Sequence, residues 1–147
     1  SRPTSNSRSN VVETITLGSS GSYGGFGNLS SSRFRILCTA SSTRALFGGG
    51  DTSSGDVNTI DYFTIASAGN ATDFGDLTVA RNRGPAAATA TRGVFCGGYA
   101  ASGSPQNNPT IDYVTFASTG NATDFGDMSE NHYEMTGGAS SSSAAVS

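Results

Sequence analysis

The residues able to do chemistry are few and far apart. The chain holds one histidine, His132, in the run Glu130-Asn131-His132-Tyr133-Glu134. A Ser/His/Asp relay needs an imidazole held between a nucleophile and a carboxylate, and a histidine-based metal site needs further ligands at close spacing. The counterparts of His132 in the pattern described below are not histidine, so either arrangement lacks partners and a solvated loop histidine is expected there. The carboxylates are better ordered: Asp73/Asp76 and Asp124/Asp127 recur at one spacing, and Asp51 and Asp56 bracket Thr52-Ser53-Ser54-Gly55. Clustered carboxylates suit a hard cation such as calcium, but none of these follows an Asp-x-Asp-x-Asp-Gly loop. Their expected role is capping of turns and strand ends, with Arg81 or a residue like it as ionic partner. No catalytic, metal-ligating or cofactor-binding residue is assigned.

Three Asn-x-Ser/Thr triplets begin at Asn28, Asn70 and Asn121 and would be glycan acceptors in a host that glycosylates extracellular proteins. In the last two, a Gly-Asn pair is also the turn chemistry of a tight hairpin, which alone explains the asparagine by its tolerance of positive φ. Tyr62, Tyr113, Tyr99 and Phe47 fall within strand-like runs and read as packing residues. A sugar-stacking platform would need rings on loops, where Tyr23, Tyr99 and Tyr133 are the candidates. Cys38 and Cys96 occupy different points of the pattern described next, so two small buried thiols are expected rather than a bridge.

These residues are positioned by a repeat. Thr59-Ile60-Asp61-Tyr62 through Asp73-Phe74-Gly75-Asp76-Leu77 returns as Thr110-Ile111-Asp112-Tyr113 through Asp124-Phe125-Gly126-Asp127-Met128, 51 residues on. An older copy precedes both at an offset of 48, with Glu13 standing for Asp61, Gly21 for the turn glycine and Phe26-Gly27-Asn28-Leu29 for the tail. A second motif repeats in step, Thr43-Arg44-Ala45-Leu46-Phe47-Gly48-Gly49-Gly50 against Thr91-Arg92-Gly93-Val94-Phe95-Cys96-Gly97-Gly98. A fixed period of this size marks a repeat architecture. One domain, 1–147, is expected, with unit 1 at about 10–57, unit 2 at about 58–107 and an incomplete unit 3 at about 108–147. Strand runs of five to eight residues with frequent glycine leave no window for a helical period, so the fold is expected to be all-β. Hairpins should pair 60–66 with 71–77, 85–90 with 93–96, and 33–40 with 44–47. Phe74 and Phe125 should fill equivalent cores, and the strand expected to follow Thr136–Val146 is missing.

Two apolar strand segments ending in paired glycines (Gly48-Gly49 and Gly97-Gly98), then Ile-Asp-Tyr, a turn and an aromatic, resemble the kelch-type blade of a β-propeller. The blade tryptophan of that family is replaced by Phe74 and Phe125. The repeats are also similar to kelch-like repeats of structural and fibre proteins of tailed bacteriophages. That resemblance implies a non-enzymatic virion or surface protein presenting a rigid scaffold for assembly or host attachment. Its partners would be identical protomers or further parts of a longer chain, and cell-surface carbohydrate. A threefold β-trefoil or β-prism is the alternative architecture, and an extracellular, glycosylated filament subunit joined by strand addition is the alternative function. A copper-dependent propeller oxidase would need several Tyr, Cys and His ligands, which one histidine does not supply.

Composition narrows the partners. Charged residues make up 13% of the chain, lysine is absent, and the net charge of −3 with eight scattered arginines gives no basic surface for a polyphosphate. Apolar runs of a few residues fall far short of the roughly 20 that cross a bilayer as a helix.

Overall fold

A computed structural model of the chain describes residues 7–18, 21, 23–103, 106–130, 139–140 and 145–146. His132, Tyr133 and Gly137-Gly138 lie outside them. Among the described residues there is no helix, and fourteen strands form five antiparallel sheets. Strand β1 (Ser9–Thr14) pairs with β2 (Gly24–Arg33). Next, β3 (Leu37–Ala40), β4 (Arg44–Gly48), β7 (Thr59–Thr64) and β8 (Thr72–Asp76) make a four-stranded meander. The small hairpin β5 (Asp51–Thr52) and β6 (Gly55–Asp56) sits in its central connection. The same meander recurs as β9 (Ala86–Ala88), β10 (Arg92–Cys96), β11 (Thr110–Thr115) and β12 (Thr123–Asp127). Last, β13 (Ala139–Ser140) pairs with β14 (Ala145–Val146).

Local chemistry explains why the two meanders match. The β3–β4 turn is closed by the Ser41 hydroxyl, which accepts from the amides of Thr43 and Arg44, and the β9–β10 turn by the Thr89 hydroxyl, which accepts from Thr91 and Arg92. Each third strand carries a register shift at one place, Ile60/Asp61 and Ile111/Asp112, and β1 carries it at Val12/Glu13. The extra residue of the bulge lies on the partner strand each time, at Phe26, Phe74 and Phe125. The alignment of Glu13 with Asp61 and Asp112 is thus reproduced by backbone pairing.

The core lies between the two meanders: Leu37, Leu46, Ile60, Phe74, Leu77, Ala88, Phe95, Val114 and Phe116 form one buried cluster. Phe95 lies so close to Gly48 that a Cβ there would stand 3.0 Å from its ring. The sheets therefore stack face to face, and they also exchange polar bonds, Thr39 Oγ1 donating to Ala87 O at 2.9 Å and Arg44 to Phe116 O at 2.6 Å.

Several expectations need correction. The repeat drawn along the sequence does not coincide with a sheet: each meander takes its first two strands from one unit and its last two from the next. The equivalent glycine pairs are Gly49-Gly50 and Gly97-Gly98, with φ of 63° and 107° against 53° and 108°, while Gly48 is the counterpart of Cys96. Phe125 fills no core, being 65% exposed where Phe74 is 2% exposed. Cys38 is exposed and only Cys96 is buried, and the two are not joined by a disulfide. Within the run 136–146, read from the sequence as one strand, Ala139–Ser140 and Ala145–Val146 pair as two short antiparallel strands.

Truncating a buried ring removes its transfer energy and leaves a cavity. Phe74→Ala is expected to lower the unfolding free energy by about 3–5 kcal/mol in urea titrations, and a loss below about 1 kcal/mol would show that the ring is not enclosed.

Candidate interaction surface

Asp61 in β7 and Asp112 in β11 are fully buried, and so are the arginines that face them. Arg33, at the end of β2, donates to Asp61 Oδ2 at 2.6 Å and to the carbonyls of Gly49 and Thr59 at 3.0 and 2.9 Å. Arg81, just beyond β8, repeats the arrangement, donating to Asp112 Oδ2 at 2.9 Å and to Phe95 O at 3.2 Å. Each carboxylate takes a second set of donors from the residue three before its arginine. Ser30 gives Asp61 Oδ2 its amide at 2.9 Å and its hydroxyl at 2.8 Å, and Thr78 gives Asp112 its amide at 3.0 Å and its hydroxyl at 2.6 Å. Burial pulls both guanidinium groups below their ordinary pKa, and the attraction of the facing carboxylate opposes that fall.

A second contact repeats beside the first. The tip of the β7–β8 hairpin lies along β2, with Gly69 N donating to Phe26 O at 2.8 Å and Ala71 N to Asn28 O at 2.9 Å. The tip of the β11–β12 hairpin lies along β8 in the same way, with Gly120 N donating to Phe74 O at 2.7 Å and Ala122 N to Asp76 O at 2.8 Å. The asparagine of each tip binds across the joint: Asn70 Oδ1 accepts from Asn28 N at 3.2 Å, and Asn121 Oδ1 from Asp76 N at 3.1 Å. A Cβ on Gly75 would stand 2.3 Å from Gly120 O, so this approach tolerates no side chain there.

The expected turn role of the Gly-Asn pairs is therefore corrected. Neither Asn70 nor Asn121 adopts positive φ, and both hold one hairpin onto the neighbouring strand. As glycan acceptors, Asn28, Asn70 and Asn121 are all exposed, but the amide group of Asn28 also donates to Asn70 Oδ1 at 3.4 Å.

The acidic pairs do not meet Arg81, whose partner is Asp112. Asp124 caps its own strand by accepting from Gly126 N at 2.8 Å, as turn chemistry predicts. Asp51 pairs with Arg8 at 2.9 Å, and Asp56 accepts from Ala101 N at 2.8 Å and from the Asn82 amide. Among the described residues no three His, Cys, Asp or Glu side chains gather as a metal-ligand set. His132 lies outside the described residues.

Tyr62 and Tyr113 are half-buried packing residues, each edge-on to the tail aromatic of its own meander, Phe74 at 5.7 Å and Phe125 at 5.9 Å, and capped by Arg44 and Arg92. Tyr23 is 68% exposed, as a loop ring would be. Sequence reasoning named Arg81 as an ionic partner but not its carboxylate, Asp112, and missed the pair of Arg33 with Asp61. Their signal was a charge four places after Leu29 and Leu77, and an aspartate inside a strand otherwise built to be buried. No protein-family model matches the chain, and a search of the curated proteins finds no match.

Removing one member of a buried ion pair strands the other in a medium that cannot solvate it. Arg81→Met should therefore cost about 3–5 kcal/mol, and adding Asp112→Leu should restore most of the loss. Denaturant unfolding of the two single variants and the double would check the coupling; additive losses would contradict it.

Proposed function

We propose that this chain is a non-enzymatic structural or attachment protein, a rigid scaffold whose sheets stack as kelch-type blades of a β-propeller and serve assembly or host-surface binding, on a virion or outside a cell. The observation that carries the reading is the repeated joint. One arginine, one aspartate opposite a bulge, one hydroxyl and one hairpin tip recur between β1–β2 and the first meander and again between the two meanders. Such a joint fixes the angle between neighbours and suits a load-bearing array. Four-stranded meanders packed face to face favour this architecture over a trefoil or prism.

The repeated polar residues are engaged in the joint rather than aimed into a cleft, which favours support over catalysis. Asp51, Asp56 and Asp124 likewise have partners within the chain. The partners proposed are identical protomers or further parts of a longer chain, with carbohydrate at the exposed loops that carry Tyr23. No cofactor, nucleic acid or membrane insertion enters this reading. A second reading, an extracellular filament subunit assembling by strand addition, is favoured by one observation: among the described residues, β1 pairs on one side only.

Thermal unfolding with EDTA and with millimolar calcium is expected to superimpose, because only a ligand that binds the folded chain raises its midpoint. A calcium-dependent rise of several degrees would replace the reading with a cation site at Asp73, Asp76, Asp124 and Asp127. Binding of the labelled chain to an array of cell-surface glycans would test the attachment role directly, and silence across the array would confine the reading to assembly.

A further inference from the structure

The two ends of the stack are open in complementary ways. By register and by the shared bulge, β1–β2 corresponds to β7–β8 and β11–β12, the outer pair of a four-stranded sheet. At the other end, β13–β14 lies against β9 much as β9 lies against β3, and so takes the place of an inner pair. The described residues thus hold the outer half of one sheet and the inner half of another.

Exposure is concentrated at these same places. Phe125 is 65% exposed where its counterpart Phe74 is 2% exposed, and Phe47 is half-buried where Phe95 is fully buried. An apolar groove runs beside β1, between Val12 and Thr14 on one side and Ala45, Phe47 and Phe63 on the other. It lies where an inner strand would pair with β1. The polar groups match too. Glu13 stands, exposed, at the bulge position of Asp61 and Asp112, and Ser129 stands, exposed, at the position of Ser30 and Thr78 that serves those carboxylates.

We infer that the chain docks head to tail on a second copy of itself, each copy seating its β1–β2 hairpin on β12 and β14 of the other. Glu13 then takes the amide and hydroxyl of the other copy's Ser129. The amides of Gly21 and Tyr23 meet the carbonyls of Phe125 and Asp127, as Gly69 and Ala71 meet Phe26 and Asn28 within the chain. The inference rests on the stacking proposed above. Among the described residues each copy holds two whole four-stranded sheets and two halves, and the docked halves join into one more. Two copies so counted give six blades, within the range of about four to eight at which propellers close.

Sedimentation velocity on the 147-residue chain should give a species of twice the 14.8 kDa monomer mass. Phe125→Asp, at a position already exposed in the single chain, should raise the dissociation constant at least about tenfold, the scale of a buried interface aromatic, with the β-sheet circular dichroism unchanged. As a check independent of any one variant's stability, chains carrying Glu13→Cys and chains carrying Ser129→Cys, both with Cys38→Ser, are mixed and treated with a short bismaleimide. A covalent dimer should form in the mixture and in neither variant alone. A folded monomer at all concentrations, or a dimer indifferent to Phe125→Asp and uncrosslinked in the mixture, overturns the docking, and points to further strands of a longer polypeptide as the cover. That outcome leaves the scaffold reading standing, because the calcium melts and the glycan array do not depend on self-association.

Discussion

Two charged pairs are buried between sheets whose other buried contacts are chiefly leucine, isoleucine, valine and phenylalanine side chains. Taking a guanidinium and a carboxylate out of water costs several kcal/mol for each ion, and their attraction offsets that cost only when the remaining donors and acceptors are also used. Here they nearly all are. Asp61 receives Arg33 and both donors of Ser30, and Arg33 spends its other nitrogens on the backbone carbonyls of the next sheet. What remains unpaired is Nε of each arginine and Oδ1 of Asp61. A pair of this kind adds little net stability over an apolar substitute, but it has one acceptable geometry. Its contribution is register: a sheet shifted by one residue would leave a buried charge without a partner.

Every other feature of the joint follows from holding that geometry. Opposite Asp61 and Asp112 the outer strand carries one extra residue, Phe74 or Phe125, and each carboxylate reaches across to an arginine of the neighbouring segment. The paired glycines after β4 and β10 let the backbone approach the arginine segment, Gly50 N donating to Arg81 O at 2.9 Å. The hairpin tips then fasten the outer rim, so each joint is pinned near its middle by the ion pair and at its edge by backbone hydrogen bonds. Two contacts set well apart resist rotation in a way that one cannot.

The all-β class, the pairing of 60–66 with 71–77 and of 85–90 with 93–96, and the alignment of Glu13 with Asp61 were legible in the sequence. Alternation, turn residues and period are local properties, and hairpins are local structures, so nothing distant had to be known. Sequence identity between repeats was a poorer guide to environment. Phe74 and Phe125 occupy identical motifs, yet one is buried and the other exposed, because burial depends on whether a further sheet is stacked against the strand. Arg35 and Arg83 adopt left-handed backbone conformations at equivalent positions, with φ of 58° and 63°, and no turn residue announces them.

The sequence by itself determined the unit: which strands form, where they turn, and that the pattern recurs. Only the tertiary structure decided what joins one unit to the next. Partners 28 and 31 residues apart, Arg33 with Asp61 and Arg81 with Asp112, are brought together by stacking and not by any local period. The same reason explains why Asn70 and Asn121 read as turn residues and turned out to be clamps. A side chain's preference for a turn is intrinsic, whereas the strand it grips belongs to the neighbouring sheet.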